Sequence, residues 1–241
     1  MTGLNAKKKE YSGGTRKDVD PLESGTYPAR LVQVIDLGVQ EQQPFKGDPK
    51  PPAQEIMVTY EFSDEFMKDD DGEDIEDKPR WLSETFPLHS LNSDLAKSTK
   101  RYYALDPDCE EEGDWTQLTG RPVMVTIVQN RNDKTGKVYN NIKGTSPMRA
   151  KEAAKLPDLK NPSKVFDQSN VETLDIMLTL PEWIQNKIKE GLEWEGSAMD
   201  KALRSRGKDE GKKEEKAAKK EAKKPAAKQQ EEETESTDED W

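Results

Sequence analysis

The chain has 241 residues, enough for one sizeable hydrophobic core, but only 31% of them are hydrophobic while 36% are charged. Aspartate and glutamate number 49 against 38 lysines and arginines, so the formal net charge is −11. This balance argues against the simple basic type of nucleic-acid binder, and the lack of any run of about 18 apolar residues argues against a membrane-spanning helix.

The chain begins with a polar stretch, residues 1–24, which we expect to be a flexible arm. Residues 25–148 then hold most of the β-branched and aromatic residues, and their hydrophobic period of two indicates strands. We predict five strands, over residues 26–37, 55–62, 80–88, 122–130 and 137–144.

The first strand changes its hydrophobic phase. Tyr27, Ala29 and Leu31 alternate with polar residues, and the apolar positions then shift to Val32 and Val34. A β-bulge reconciles the two phases, and a long strand that bends between two parts of a barrel needs one.

One helix is predicted between the third and fourth strands, over residues 93–105. Ser93 is its expected N-cap, and Leu91, Leu95, Thr99 and Tyr102 recur at helical spacing. Five strands with a helix between the third and fourth is the element order of the OB-fold, a small Greek-key barrel. We therefore expect a mainly β, OB-like barrel over residues 25–148.

The acidic loop at 64–77, the single cysteine and the single histidine bear on catalysis. The acidic loop at 64–77 does not match a calcium-binding EF-hand, because Met67 and Lys78 occupy the first and last ligand positions. Cys109 lies among acids, which do not activate a thiol, and one histidine, His89, leaves His-based catalytic pairs without parts. A lone cysteine also favours a reducing compartment, so we expect a cytoplasmic protein. Because no catalytic or metal-binding motif is found, we expect that it is not an enzyme and has no cofactor or metal.

Beyond the barrel we expect an extension, residues 149–200, with an amphipathic helix at about 181–192. Three roles stay open for this helix: capping the barrel, forming a homodimer contact or binding another protein. Residues 201–241 are predicted to be disordered, with a net charge of +7 over residues 201–228 and −7 over residues 229–241. The chain ends on Trp241, and an acidic segment with a terminal indole is a plausible peptide ligand for a protein partner.

Cations and aromatic residues alternate at several places along the predicted barrel, as single-strand binding requires. If Leu82 and Phe86 face the core, Trp81 faces outward, and if Val138 and Ile142 face the core, Tyr139 and Lys143 share the opposite face. The predicted DNA-contacting residues are Arg30, Arg80, Trp81, Lys97, Lys100, Arg101, Tyr103, Arg131, Lys134, Lys137, Tyr139 and Lys143.

The order of these features resembles the bacteriophage-type single-stranded DNA-binding proteins, which have an OB-fold core and an acidic, aromatic-ended tail. The segments SGTYPARLV at 24–32 and LTGRPVMV at 118–125 are similar to the opening and close of such barrels. The resemblance implies a partner-binding role for Asp238, Glu239, Asp240 and Trp241, which would recruit phage or host replication and recombination proteins.

The leading hypothesis is therefore a sequence-tolerant single-stranded DNA-binding protein in the host-cell cytoplasm. A second hypothesis is an acidic DNA mimic or adaptor that binds a protein and no DNA, which the net charge favours and the basic hairpin opposes. A third, a metal-dependent nuclease using the carboxylates at 69–77, lacks an accompanying base or lysine motif.

Overall fold

The computed structural model describes residues 20–207. Its first part consists of β1 (Gly25–Gln40), β2 (Ala53–Lys68), β3 (Asp74–Pro87), α1 (Lys97–Leu105), β4 (Pro122–Arg131) and β5 (Val138–Pro147). Its second part consists of α2 (Ala150–Ala153), β6 (Lys164–Phe166), α3 (Leu174–Leu178), α4 (Glu182–Lys189) and a helical stretch at 198–207, which we call α5. Short 3-10 turns lie at Trp115–Gln117 and Val171–Thr173.

The fold is mainly β, with the strand order β3-β2-β1-β4-β5 and antiparallel pairing along this path. β1 pairs with two further strands along one edge: β4 is antiparallel to residues 25–30, and β6 is parallel to residues 33–35. The β1–β2 register shifts between Leu31 and Gln33, which confirms the predicted bulge, and shifts again between Asp36 and Gly38. β3 and β5 are the edge strands.

Two hydrophobic clusters lie on opposite faces of β1 and β2. Val34 and Val58 belong to the first cluster, which also contains Tyr102 of α1. Their chain neighbours Ile35 and Met57 belong to the second cluster, which is closed by Phe166 and the helices after it. Successive residues of a strand point to opposite faces. Because both faces of these strands are covered, consecutive residues are buried, as at 56–62 of β2.

The second cluster shows how the expected extension, residues 149–200, meets the sheet. Ile184 and Ile188 of α4 pack in the same cluster as Leu37 of β1. Residues 201–207, expected to be disordered, are the second half of α5, and Leu203 packs against this cluster. Helix propensity alone does not predict that α5 continues to residue 207, because the apolar residues that Leu203 packs against are distant in sequence.

The strands extend beyond their predicted ends, mainly at the β2–β3 hairpin. The acidic segment 64–77, expected as a loop, is largely paired strand, with Phe66 opposite Pro79 and Met67 opposite Ile75. Ladder hydrogen bonds join backbone atoms, so exposed acidic side chains do not prevent pairing. Conversely, α1 begins later than expected, with Ala96 and not Ser93 at its N-cap.

The end of the expected arm is fixed against the sheet. Leu22 is 6% exposed and packs in the first cluster, and its backbone N–H and C=O bond the side chain of Asn140. Residues 1–19 lie outside the described part. Within residues 20–207, no helix is both long and apolar enough to cross a membrane.

Candidate nucleic-acid interface

The β4–β5 hairpin is built by local sequence. The side chain of Asn132 accepts hydrogen bonds from the backbone N–H groups of Lys134 and Thr135, which forms an Asx turn. Gly136 has a positive φ of 68° and donates its N–H to the Asn132 carbonyl, so the turn closes at a position that glycine adopts without strain. The hairpin therefore presents Lys134 at an exposed tip.

This hairpin exposes an aromatic residue and several cations, which together we call the hairpin stripe; the register places Tyr139, opposite Asn130, and Arg131, opposite Val138, on different faces. Tyr139 is 45% exposed, and Arg131, Lys134 and Lys143 are exposed cations that make no ion pair within residues 20–207. Lys137 is also exposed. Tyr139 and Lys143 are both exposed, but Val138, expected to face the core, is 41% exposed, and a register shift at Lys143 interrupts the alternation between them. The hairpin therefore exposes both phosphate-neutralising and base-stacking groups.

A groove of about 510 Å³ continues this stripe between α1 and the end of β5. Lys100 and Tyr103 line it from α1, and Lys143 lines it from β5. The structure thus brings together three predicted contact residues that are about 40 positions apart in the chain. We call this feature the α1–β5 groove.

Two other predicted cations on α1 serve the packing of the helix. Arg101 is 5% exposed and its Nε donates to Glu84 Oε1 at 2.6 Å, while Lys97 Nζ lies 2.6 Å from the other oxygen of Glu84. Lys97 also lies over the ring of Phe86, at 5.4 Å from its centroid. Arg101 is therefore not at the surface where the sequence analysis expects it.

Arg30 and Arg80 are likewise engaged with the protein backbone. The guanidinium of Arg30 donates to the carbonyl oxygens of Gly120, Leu156 and Pro157. Arg80 donates to the carbonyl of Asp20, and its position on β3 points it to the face opposite Trp81. Both arginines hold segments of the chain together, so we leave them out of the candidate interface.

Trp81 is exposed as predicted, at 46%, together with Ser83 and Thr85 on the same face of β3. The neighbouring β2 residues are closed off, since Glu61, opposite Trp81, is 3% exposed and Thr59, opposite Ser83, is 4% exposed. Glu61 accepts hydrogen bonds from the backbone N–H groups of Lys160 and Asn161. The chain after β5 thus covers the outward face of β2 and leaves that of β3 open.

The β1–β2 loop carries an aromatic residue that the sequence analysis did not select. Phe45 is 58% exposed, and the ammonium groups of Lys46 and Lys50 lie 5.3 and 5.1 Å from its ring centroid. The sequence feature that marks this site is FKGDPK at 45–50, in which two lysines accompany a phenylalanine within a proline-containing, irregular loop. The pair of cations beside an exposed ring has the same composition as the hairpin stripe.

The acidic residues between positions 20 and 207 show no cation-binding arrangement. Burial raises the pKa of Asp64 and of Glu65 above the ordinary carboxyl value. No group of three or more His, Cys, Asp or Glu suited to a metal ion occurs in the described residues. Cys109 is half-buried, with a positive φ of 53°.

Asp106 organises the segment below α1. It is fully buried, and its carboxylate accepts hydrogen bonds from the Tyr102 hydroxyl and from the backbone N–H groups of Glu110 and Glu111. Burial alone would raise the pKa of Asp106, but these donors and the nearby Arg121 outweigh it and lower the pKa. Burial chiefly raises the pKa of Tyr102, to about 12. This network fixes the end of the helix that carries Tyr103.

The predicted partner-binding residues Asp238, Glu239, Asp240 and Trp241 lie outside the described residues. Comparison with models of known protein families and with curated proteins finds no match for this chain.

Proposed function

We propose that this protein binds single-stranded DNA without catalysis and with little sequence preference. The observation that carries the proposal is the hairpin stripe, because the β4–β5 hairpin exposes Tyr139 together with Arg131, Lys134 and Lys143. Lysine and arginine neutralise phosphates, and an aromatic face accepts any base, so this combination binds a strand irrespective of sequence.

The strand order supports an OB-like barrel as the framework. β1 pairs with both β2 and β4, β3 and β5 lie at the two ends of the path, and α1 falls between β3 and β4 in the chain. This is the connectivity of the OB-fold, whose loop between the fourth and fifth strands is a frequent oligonucleotide contact.

The acidic net charge is compatible with this function because the charges are segregated. The β4–β5 hairpin holds Arg131, Lys134, Lys137 and Lys143 against the single acid Asp133. A local excess of cations acts over a Debye length of about 8 Å at physiological salt, so distant acids weaken it only slightly. We further propose a role in phage-type replication or recombination, with residues 238–241 recruiting protein partners.

The decisive experiment is a titration of fluorescein-labelled oligothymidine with the full chain at low salt, beside a duplex of equal length. We expect tighter binding to the single strand and an affinity that falls steeply with salt. The double variant Lys134→Glu, Tyr139→Ala should weaken binding by one to two orders of magnitude, about 1–3 kcal/mol.

The matched control is Lys189→Glu, which makes the same charge change at an exposed position of α4. It should bind within about twofold of the unaltered chain. Failure of the unaltered chain to bind oligothymidine would overturn the proposal and favour the DNA-mimic or adaptor role. Degradation of the oligonucleotide in the presence of magnesium or manganese would favour the nuclease instead.

A further inference from the structure

The α1–β5 groove lies beside an edge strand. β5 pairs with β4 on one side only, so the backbone of residues 143–147 borders the groove with its other side. The volume of about 510 Å³ falls in the range of about 300–1,000 Å³ that is typical of small-ligand sites. The groove is therefore large enough for one nucleotide unit.

A β-bulge brings Lys143 to the groove. Ile142 pairs with Ile127 and Gly144 pairs with Thr126, so Lys143 is the extra residue between two consecutive pairs. Bulges redirect a side chain and are frequent beside functional sites. Lys143 thus joins the hairpin stripe to the groove.

The groove has the two chemical groups that a nucleotide needs. Lys100 and Lys143 line it and make no ion pair with any carboxylate of residues 20–207, and Asp94 is the one acid in the lining. Tyr103 supplies an aromatic face at 37% exposure. The buried ring of Tyr102 packs against it edge-on, with centroids 5.9 Å apart and an interplanar angle of 90°, so the Tyr103 ring is held in place.

A polar atom in the groove wall lacks a protein partner. Thr145 Oγ1 is buried and makes no hydrogen bond, and no other buried side-chain nitrogen or oxygen of the described residues shares this condition. Buried hydroxyls nearly always have a partner, so an exception calls for an explanation. Because this oxygen has no exposed surface in the structure, a polar group of a bound ligand would satisfy it only after the Thr145 side chain turns toward the groove.

We infer that the α1–β5 groove is a nucleotide subsite, in which Lys100 and Lys143 neutralise a phosphate and Tyr103 stacks on a base. This inference rests on the proposed function and extends it, because it carries the strand from Tyr139 along β5 to α1. The route differs from one over β2, whose outward face is covered by the chain around Lys160. The edge of β5 also suits an acidic peptide strand, but the aromatic face between two lysines favours a nucleotide.

The test compares Tyr103→Leu, Tyr103→Phe and Lys100→Ala in the full chain, with Lys189→Ala as the control at an exposed site on α4. Tyr103→Leu should weaken oligothymidine binding about tenfold, whereas Tyr103→Phe retains the ring and should bind like the unaltered chain. Lys100→Ala should reduce the slope of log affinity against log salt by about 0.7, which a structural role would not do.

A second readout locates the contact directly. Oligothymidine containing 5-iododeoxyuridine, irradiated in complex with the chain, should crosslink to Tyr103, as mapped by mass spectrometry. If Tyr103→Leu fails to fold, the exposed Lys100→Ala and Lys143→Ala variants and the crosslink still test the inference.

The outcomes distinguish failure of the nucleotide subsite from failure of the proposed DNA-binding function. Normal binding by Tyr103→Leu and Lys100→Ala without a crosslink, while the hairpin variant is impaired, overturns the subsite and leaves the function standing. If these two variants lose binding to a poly-glutamate peptide but bind oligothymidine normally, the groove is a protein-docking site, which also overturns the subsite. Absence of DNA binding by the unaltered chain overturns both.

Discussion

Arg101 and Glu84 form a bidentate ion pair in which the two side chains are only 6% and 7% exposed. The pair joins α1 to β3 and orients the helix that carries Tyr103, two residues after Arg101. A cation that appears from the sequence to be a DNA contact is therefore a structural element. Removing Arg101 would leave the buried Glu84 carboxylate with Lys97, at 2.6 Å, as its remaining charged partner.

We expect Arg101→Leu to lower the free energy of unfolding by about 2 kcal/mol, because it removes two charge-assisted hydrogen bonds while Lys97 still pairs with Glu84. The measurement is urea unfolding followed by tryptophan fluorescence. The double variant Arg101→Leu, Glu84→Leu should recover much of this loss, because it removes both charges. A loss below about 1 kcal/mol for the single variant would show that the pair is solvated.

Glu61 holds the segment after α2 onto the sheet. Its carboxylate accepts hydrogen bonds from the backbone N–H groups of Lys160 and Asn161 and from the Asn161 side chain at 2.6–3.2 Å. Glu61→Gln removes the charge and should destabilise this contact by about 2 kcal/mol.

Hydrogen exchange is the suitable measurement for Glu61→Gln, because the loss is expected to be local. Amides of residues 160–166 should exchange faster, while those of β4 keep their protection. Equal acceleration throughout the sheet would contradict a local role. Glu76→Gln, on the exposed part of the β2–β3 hairpin, is the matched control.

Asp106 should contribute to a pH dependence of stability. Its pKa in the folded chain is lower than the ordinary value of about 3.9, so its contribution is fully present above that value. The contribution is lost as the pH falls through the lower, folded-state pKa. Asp106→Asn should therefore cost about 3 kcal/mol at pH 7 and progressively less in acid.

The pH series is best measured as the free energy of urea unfolding for both chains between pH 2 and pH 7. The difference between them should narrow below about pH 4. A difference that stays constant across the series would show that the Asp106 charge does not contribute. Asp114→Asn, at the exposed N-cap of the turn at Trp115–Gln117, serves as a control.

The acidic segment 229–241 has a net charge of −7 and can compete with DNA for the hairpin cations. A chain ending at residue 228 should bind oligothymidine more tightly at low salt, with the gain shrinking as salt rises. It should also lose binding to replication partners. If truncation leaves both affinities unchanged, the segment has neither role.

The strand positions were predictable because the alternation in segments such as IMVTYEF at 56–62 sets which residues face each side. The same alternation placed Trp81 and Tyr139 outside, as the structure has them. The ends of β2 and β3 were not predictable, because polar hairpin ends pair through backbone atoms that carry no hydrophobic signal.

The candidate interface was only partly predictable, for a similar reason. A lysine or arginine has the same appearance in a sequence whether it meets solvent, a carbonyl or a buried carboxylate. Arg30 and Arg101 have partners between 17 and 127 residues away, and no local pattern marks such partners. Phe45 was missed because an exposed aromatic ring in a proline-rich loop has no periodic context.

Short-range patterns are enough to predict a mainly β chain, the phase of its strands, the bulge in β1 and the basic, aromatic character of the β4–β5 hairpin. These follow from side-chain alternation and turn chemistry, which act over a few residues. The tertiary structure is needed to show that Arg131, Lys134 and Lys143 make no ion pair within residues 20–207, that the chain after β5 covers β2, and that Lys100, Tyr103 and Lys143 share a groove. Those outcomes depend on contacts between distant segments, where burial and pairing energies exceed any local preference.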